Sequence, residues 1–101
     1  MNKQLEIIAE MGQGFEGSLN LGMMLSRSAS NTTADAVKFQ MVFADELAVK
    51  NYLHYPLFKS LELKFSEWNK IVSFLKKKDK KIYFDVFGKK SLKYSEELKA
   101  D

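Results

Sequence analysis

Apolar and polar positions alternate in blocks along this chain. Leu5-Glu6-Ile7-Ile8-Ala9 is a short apolar run that reaches Glu10, and Gly12, Gly14 and Gly17 follow within six positions. That pattern predicts a strand running into a loop, with Met1 to Ile8 already extended. Ser18 can cap a helix whose face would carry Leu21, Met24, Leu25 and Ser28, with Asn31 as its stop. Ala34-Asp35-Ala36-Val37-Lys38-Phe39-Gln40 predicts a second strand, with Ala36, Lys38 and Gln40 on one face and Val37 and Phe39 on the other. A long connection follows from Met41 to Phe65, broken by Pro56, with a short helix expected from Pro56 to Leu61. Ser66 is the expected cap of the next helix, whose apolar face is Trp68, Ile71, Val72 and Leu75. Ile82-Tyr83-Phe84-Asp85-Val86-Phe87 predicts a third strand closed by Gly88, and Leu92, Ser95, Glu96 and Leu98 a third helix.

Strand and helix alternate three times, so the expected class is α/β, a parallel βαβαβα segment with right-handed crossovers. Spacing alone leaves an open doubly wound sheet and a piece of a closed barrel both available. No internal repeat, low-complexity tract or linker interrupts the 101 residues.

Composition narrows the chemistry. At 46% apolar and 29% charged, this is the balance of an ordinary globular chain. No run of about 18 apolar residues exists, so no membrane span is expected, and no signal peptide is read at the N-terminus. The absence of cysteine excludes disulfides and thiolate chemistry and is compatible with the cytoplasm. The single histidine, His54, cannot make a metal site by itself and reads as a loop residue. Lys76, Lys77, Lys78, Lys80 and Lys81 supply much of the net charge of +3. With no base-reading motif nearby they read as a solvated helix end rather than a nucleic-acid patch.

The strand ends carry the candidate chemistry. In parallel α/β folds, ligands gather at the carboxyl ends of strands. These strands end in Glu10, in Lys38 with Gln40, and in Asp85. Lys38 can hold a phosphate or carboxylate, Gln40 can donate to and accept from a polyhydroxyl ligand, and Glu10 can accept from hydroxyls. A structural Glu10–Lys38 ion pair with Gln40 as its hydrogen-bond partner accounts for the same residues equally well. Gly12-Gln13-Gly14-Phe15-Glu16-Gly17 has the spacing of a dinucleotide fingerprint, but the second strand lacks the terminal acid that a ribose would need.

At these residues the sequence resembles the N-acetylneuraminate (sialic acid) synthase family. The resemblance lies in Ile7-Ile8-Ala9-Glu10-Met11-Gly12 with Glu16-Gly17-Ser18, and in Ala34-Asp35-Ala36-Val37-Lys38-Phe39-Gln40 at a matching interval. It implies a partial TIM barrel, the first three βα units of a (β/α)₈ enzyme, with residues 1–101 forming an incomplete domain. A whole barrel needs about 250 residues, so later strands and a C-terminal antifreeze-like domain would be missing from this chain. The implied reaction condenses phosphoenolpyruvate with an N-acetylated sugar such as N-acetylmannosamine. A divalent metal (manganese or magnesium) would serve the full-length family, and this chain alone would bind none. By the same resemblance Lys38 would hold the phosphate and Glu10 the sugar hydroxyls. Gln40 would share that pocket, with Gln13 and Asp85 as further lining.

The chain departs from the family at Gly14 and Phe15, where an Asn-His pair is usual, and at Thr33, where glycine is common. It departs again at Asp85, which replaces a phosphate-binding threonine. A carboxylate beside a phosphate is repulsive unless a cation intervenes. These differences suggest a divergent subfamily, or a non-catalytic binding module, with another phosphate-binding α/β domain as a further alternative. No nucleic-acid or membrane partner is expected. Two open sheet edges and one uncovered face imply marginal stability alone, with self-association or the remainder of the barrel as the completing partner.

Overall fold

The computed structural model describes residues 5–101. Three strands, β1 (Ile8–Gly12), β2 (Ala36–Gln40) and β3 (Lys81–Asp85), form one parallel sheet in the order β1-β2-β3. Five helices accompany them: α1 (Leu19–Ser30), α2 (Ala44–Leu47), α3 (Tyr55–Ser60), α4 (Phe65–Lys77) and α5 (Lys89–Glu97). The expected parallel α/β architecture is the one observed. Its first strand begins later than expected. Leu5 to Ile7 lie outside β1 and are exposed, although the Ile7 amide donates to Asp35 Oδ2 at 2.8 Å. The part of that expectation covering Met1 to Gln4 falls outside the described residues.

The side-chain alternation of β2 divides the sheet. Val37 and Phe39 point into the helical layer with Ile82 and Phe84, where Trp68 of α4 is the centre of an aromatic cluster. Its ring lies 5.0 Å from Phe15, 5.6 Å from Phe39 and 5.1 Å from Phe84, each edge to face. That geometry suits the ring quadrupoles and adds to the area buried. Trp68, Ile71, Val72 and Leu75 are all buried, as the periodicity of α4 predicts.

Helix α1 faces the core differently from expectation. Ser18 caps it, accepting from the Leu21 amide at 3.2 Å, but the inward stripe is Gly22, Ser26 and Ala29. Met24 is 58% exposed and Ser28 is exposed, while Leu25 packs partly on the core. The cause is close helix approach. A Cβ at Gly22 would come within 2.8 Å of Ile71 Cδ1, so only small residues fit against α4. Hydrophobic periodicity weights large residues and points to the wrong stripe.

Two other boundaries shift for local reasons. Helix α4 starts one residue before Ser66, with Lys64 as its cap residue, and the Glu67 carboxylate accepts from the Lys64 amide at 2.9 Å. Ser66 is therefore not the cap. Strand β3 stops at Asp85 rather than Phe87, because β2 ends at Gln40 and the Met41 amide makes the last bond, to Asp85 O at 3.1 Å. The Phe87 and Gly88 amides turn instead to the buried Ser91 hydroxyl at 3.0 and 3.2 Å. Phe87 is consequently 42% exposed and does not pack helix on sheet. In α5 the inward residues are Ser91, Tyr94 and, just past its end, Leu98, while Leu92 stays half exposed.

The connection after β2 folds back on the core. Besides the expected short helix α3, it contains α2, which the sequence reading lacks. Glu46 of α2 accepts from the Lys90 and Ser91 amides at 2.8 and 3.3 Å, placing a carboxylate at the positive end of α5. The lysine run is also tied down more than a solvated helix end would be. Lys76 donates to Lys99 O at 2.7 Å, and Lys80 to Ala34 O and Thr32 O at 2.6 and 3.0 Å.

Candidate binding site at the carboxyl end of the sheet

The other face of the sheet is polar. Register sets Glu10 of β1 directly opposite Lys38 of β2, and Lys38 opposite Tyr83 of β3, with Gln40 opposite Asp85. Because the strands are parallel, all of these side chains except Tyr83 reach the same carboxyl end. The spacing alone cannot establish that convergence. Lys38 Nζ is 3.0 Å from Asp85 Oδ1 and 3.5 Å from Glu10 Oε1. Gln13, carried by the loop after β1, donates from Nε2 to Gln40 Oε1 at 2.9 Å. All five sequence-designated residues thus meet at one rim.

The Lys38 pair is partly open, with the lysine side chain 30% exposed and Asp85 37%. Asp85 is the main influence on Lys38. Its hydrogen bond and negative charge, with a smaller contribution from Glu10, outweigh desolvation and hold the ammonium pKa above its ordinary value. The structural pairing expected between Glu10 and Lys38 is present, but its geometry differs from that expectation. Asp85 is the nearer acid, and Gln40 bonds Gln13 rather than the ion pair. Glu10 is divided between two tasks, since its Oε2 also accepts from the Gly12 amide at 3.0 Å.

A second polar group lies lower on the same face, and the sequence reading missed it. Tyr83 donates to both Glu6 oxygens at 3.0 and 2.9 Å, and Lys81 Nζ lies 3.4 Å from Glu6 Oε2. The Glu6 hydrogen bond holds the Tyr83 pKa up. Tyr83 alternates with Ile82 and Phe84, so the period of two within β3 was the signal for it. Near this level, at the amino end of the strands, a cavity of about 460 Å³ is lined by Glu6, Asp35, Lys80 and Lys81 among others. It is remote from the Lys38 rim, and Lys80 and Lys81 already have partners.

The glycine-rich loop has a packing role. Phe15 at its tip is completely buried against Phe39 and Trp68. Gly17 has φ +72, and a Cβ there would fall 2.0 Å from Ser60 O, so this turn admits only glycine against the end of α3. His54 is exposed and edge-on to Tyr52 at 5.5 Å. Among the described residues no three His, Cys, Asp or Glu side chains gather to hold a metal ion. The two acids nearest each other across the rim have the Lys38 ammonium between them. The donors present do not fit a divalent ion. No helix among the described residues is long and apolar enough to cross a membrane.

No family model matches the sequence. Over 71 residues, 70% of this chain, it is 37% identical to the uncharacterized protein MJ1065 of Methanocaldococcus jannaschii, and the match spans 21% of that protein. N-acetylneuraminic acid (sialic acid) synthetase from Leptospira borgpetersenii, solved with citrate, superposes with a TM-score of 0.87 at 26% identity, covering 97% of this chain. Spore coat polysaccharide biosynthesis protein spsE from Bacillus subtilis superposes at 0.74 with 25% identity, covering 99%. The chain spans about a fifth of its curated relative and, at 34% and 28%, roughly a third of the two solved structures. Three parallel strands backed by helices therefore match a partial barrel-like fold, that of the sialic acid synthetase.

Proposed function

We propose that this chain is part of a nonulosonic (sialic) acid synthase that condenses phosphoenolpyruvate with an N-acetylated sugar such as N-acetylmannosamine. The observation that carries this reading is the Lys38 ammonium, presented between two strands at the carboxyl end of a sheet with the sialic acid synthase fold. In this account Lys38 grips the phosphate as a point charge. The linked amides of Gln13 and Gln40 offer both donors and acceptors to a polar ligand, and Glu10 accepts from sugar hydroxyls. The reaction requires more of a barrel than these three strands, so the chain by itself is expected to bind rather than to catalyse. The exposed Leu5 and Ile7 before β1, Ile8 at its start, and Val86 and Phe87 after β3, suit contact with further barrel strands or a second copy.

The test is a calorimetric titration of phosphoenolpyruvate into the chain and into Lys38→Met. Weak binding that falls at least tenfold in the variant supports the reading, and equal binding by the two proteins contradicts it.

Phe15 favours a second reading, a binding module without catalysis. It occupies a position where the resemblance leads one to expect histidine, yet its ring is sealed in the core and unable to reach a ligand. Synthase activity from a longer protein containing this segment would exclude the second reading.

A further inference from the structure

The rim contains more negative than positive charge. Glu10 and Asp85 flank the one ammonium of Lys38, which leaves the three groups with a net charge of minus one. A phosphate approaching Lys38 therefore meets an ammonium already engaged, with a carboxylate on either side.

The two carboxylates are not equivalent. Glu10 is the more distant, at 3.5 Å, and its other oxygen is held by the Gly12 amide. Asp85 is at 3.0 Å. Its backbone is fixed at the last rung of the sheet, where its carbonyl accepts from the Met41 amide. Its short side chain, on a fixed strand end, has less reach than that of Glu10. Asp85 thus occupies Lys38 much as an external oxyanion would.

We propose that Asp85 is an internal anion that competes with incoming phosphate for Lys38 and so determines which anions the rim accepts. This inference rests on Lys38 being the anion-binding group of the proposed function. It adds that both carboxylates oppose every further negative charge on the ligand, so the unmodified rim binds phosphates, phosphoenolpyruvate among them, only weakly. Removing one unit charge a few ångströms from a bound anion at a partly exposed site strengthens binding by about tenfold.

The experiment titrates inorganic phosphate, followed by amide chemical shifts, into the chain and into Asp85→Asn, Glu10→Gln, Lys38→Met and the double variant Asp85→Asn with Lys38→Met. Circular dichroism checks each fold, and Asp85→Ser replaces Asp85→Asn if that variant does not fold. The expected result is binding about tenfold tighter in Asp85→Asn and a smaller gain in Glu10→Gln. Binding should be largely lost from Lys38→Met and from the double variant, and the Asp85→Asn gain should shrink as salt shortens the screening length from about 10 Å at 0.1 M to about 3 Å at 1 M. Equal phosphate affinity in the chain and Asp85→Asn, with both weakened by Lys38→Met, overturns the role of Asp85 and leaves the Lys38 reading standing. Binding that is indifferent to Lys38→Met, or absent from every protein, overturns both.

Discussion

The two faces of the sheet have opposite characters although they alternate residue by residue along the same strands. On the helical face Phe39, Trp68 and Phe84 interlock with Phe15, and Val37 and Ile82 are buried in the same core. On the other face the same strands present Glu10, Lys38, Tyr83 and Asp85, partly exposed and joined by ion pairs and hydrogen bonds. The difference teaches where stability and where chemistry reside. Tightly packed aromatic surface supplies free energy, whereas ion pairs open to solvent contribute little to folding and remain available to a ligand.

Substitutions should separate the two faces, and the largest effect belongs to the helical one. Trp68→Ala opens a cavity at the centre of the aromatic cluster and should cost about 3–5 kcal/mol, much of the stability of a domain this size. Trp68→Phe should cost less, about 1–2 kcal/mol, since it also removes a buried indole N–H that lacks a partner among the described residues. Urea denaturation measures both, and similar losses for the two would break the packing account.

Next in size is the contrast between two glycines with positive φ. Gly17→Ala drives a methyl into the Ser60 carbonyl behind the helical face and should cost about 2–3 kcal/mol. Gly12→Ala, at the rim with open space around it, should cost about 1 kcal/mol, the left-handed backbone penalty alone. Reversed midpoints in the same denaturation series would mean that the loop packs differently.

On the polar face, Lys38→Met should leave the denaturation midpoint nearly unchanged while lowering phosphoenolpyruvate binding. A large fall in the midpoint would return Lys38 to a purely structural role. Because the Lys38 pKa is raised, any stability it lends is fully present below the ordinary lysine value. That contribution is lost only as pH rises through the higher folded value, in strongly alkaline solution.

The smallest effect lies in the excursion after β2. Tyr55 donates to Asp45 at 2.6 Å, and this hydrogen bond holds the Asp45 pKa below its ordinary value. The interaction contributes above the ordinary aspartate value and is lost as pH falls through the lower folded value. Carboxyl carbon shifts should show Asp45 titrating low, and Tyr55→Phe should move it upward. An unmoved midpoint would assign the shift to the surrounding lysines.

Much of the fold was legible because its signals are local. The alternation in Ala36-Val37-Lys38-Phe39-Gln40 gave the two faces of β2, and the period of Trp68, Ile71, Val72 and Leu75 gave the buried face of α4. The face of α1 was not legible, because it depends on how near α4 comes, and Gly22 and Ser26 carry no hydrophobic signal. The end of β3 depends on the length of its neighbour and on the Ser91 hydroxyl, both distant from the apolar run that suggested a longer strand. At the rim, residue types and strand ends identified Glu10, Lys38, Gln40, Gln13 and Asp85. Which acid is nearest Lys38, and that Gln40 turns to Gln13, follow from register and side-chain reach across strands.

The most direct test of the central claim is an amide chemical-shift map of the unmodified chain titrated with phosphoenolpyruvate. The Lys38 account predicts the largest changes at Glu10, Lys38, Gln40 and Asp85, with the aromatic layer undisturbed. Changes concentrated instead at Asp35, Asp79, Lys80 and Lys81, around the cavity at the opposite end of the strands, would contradict it.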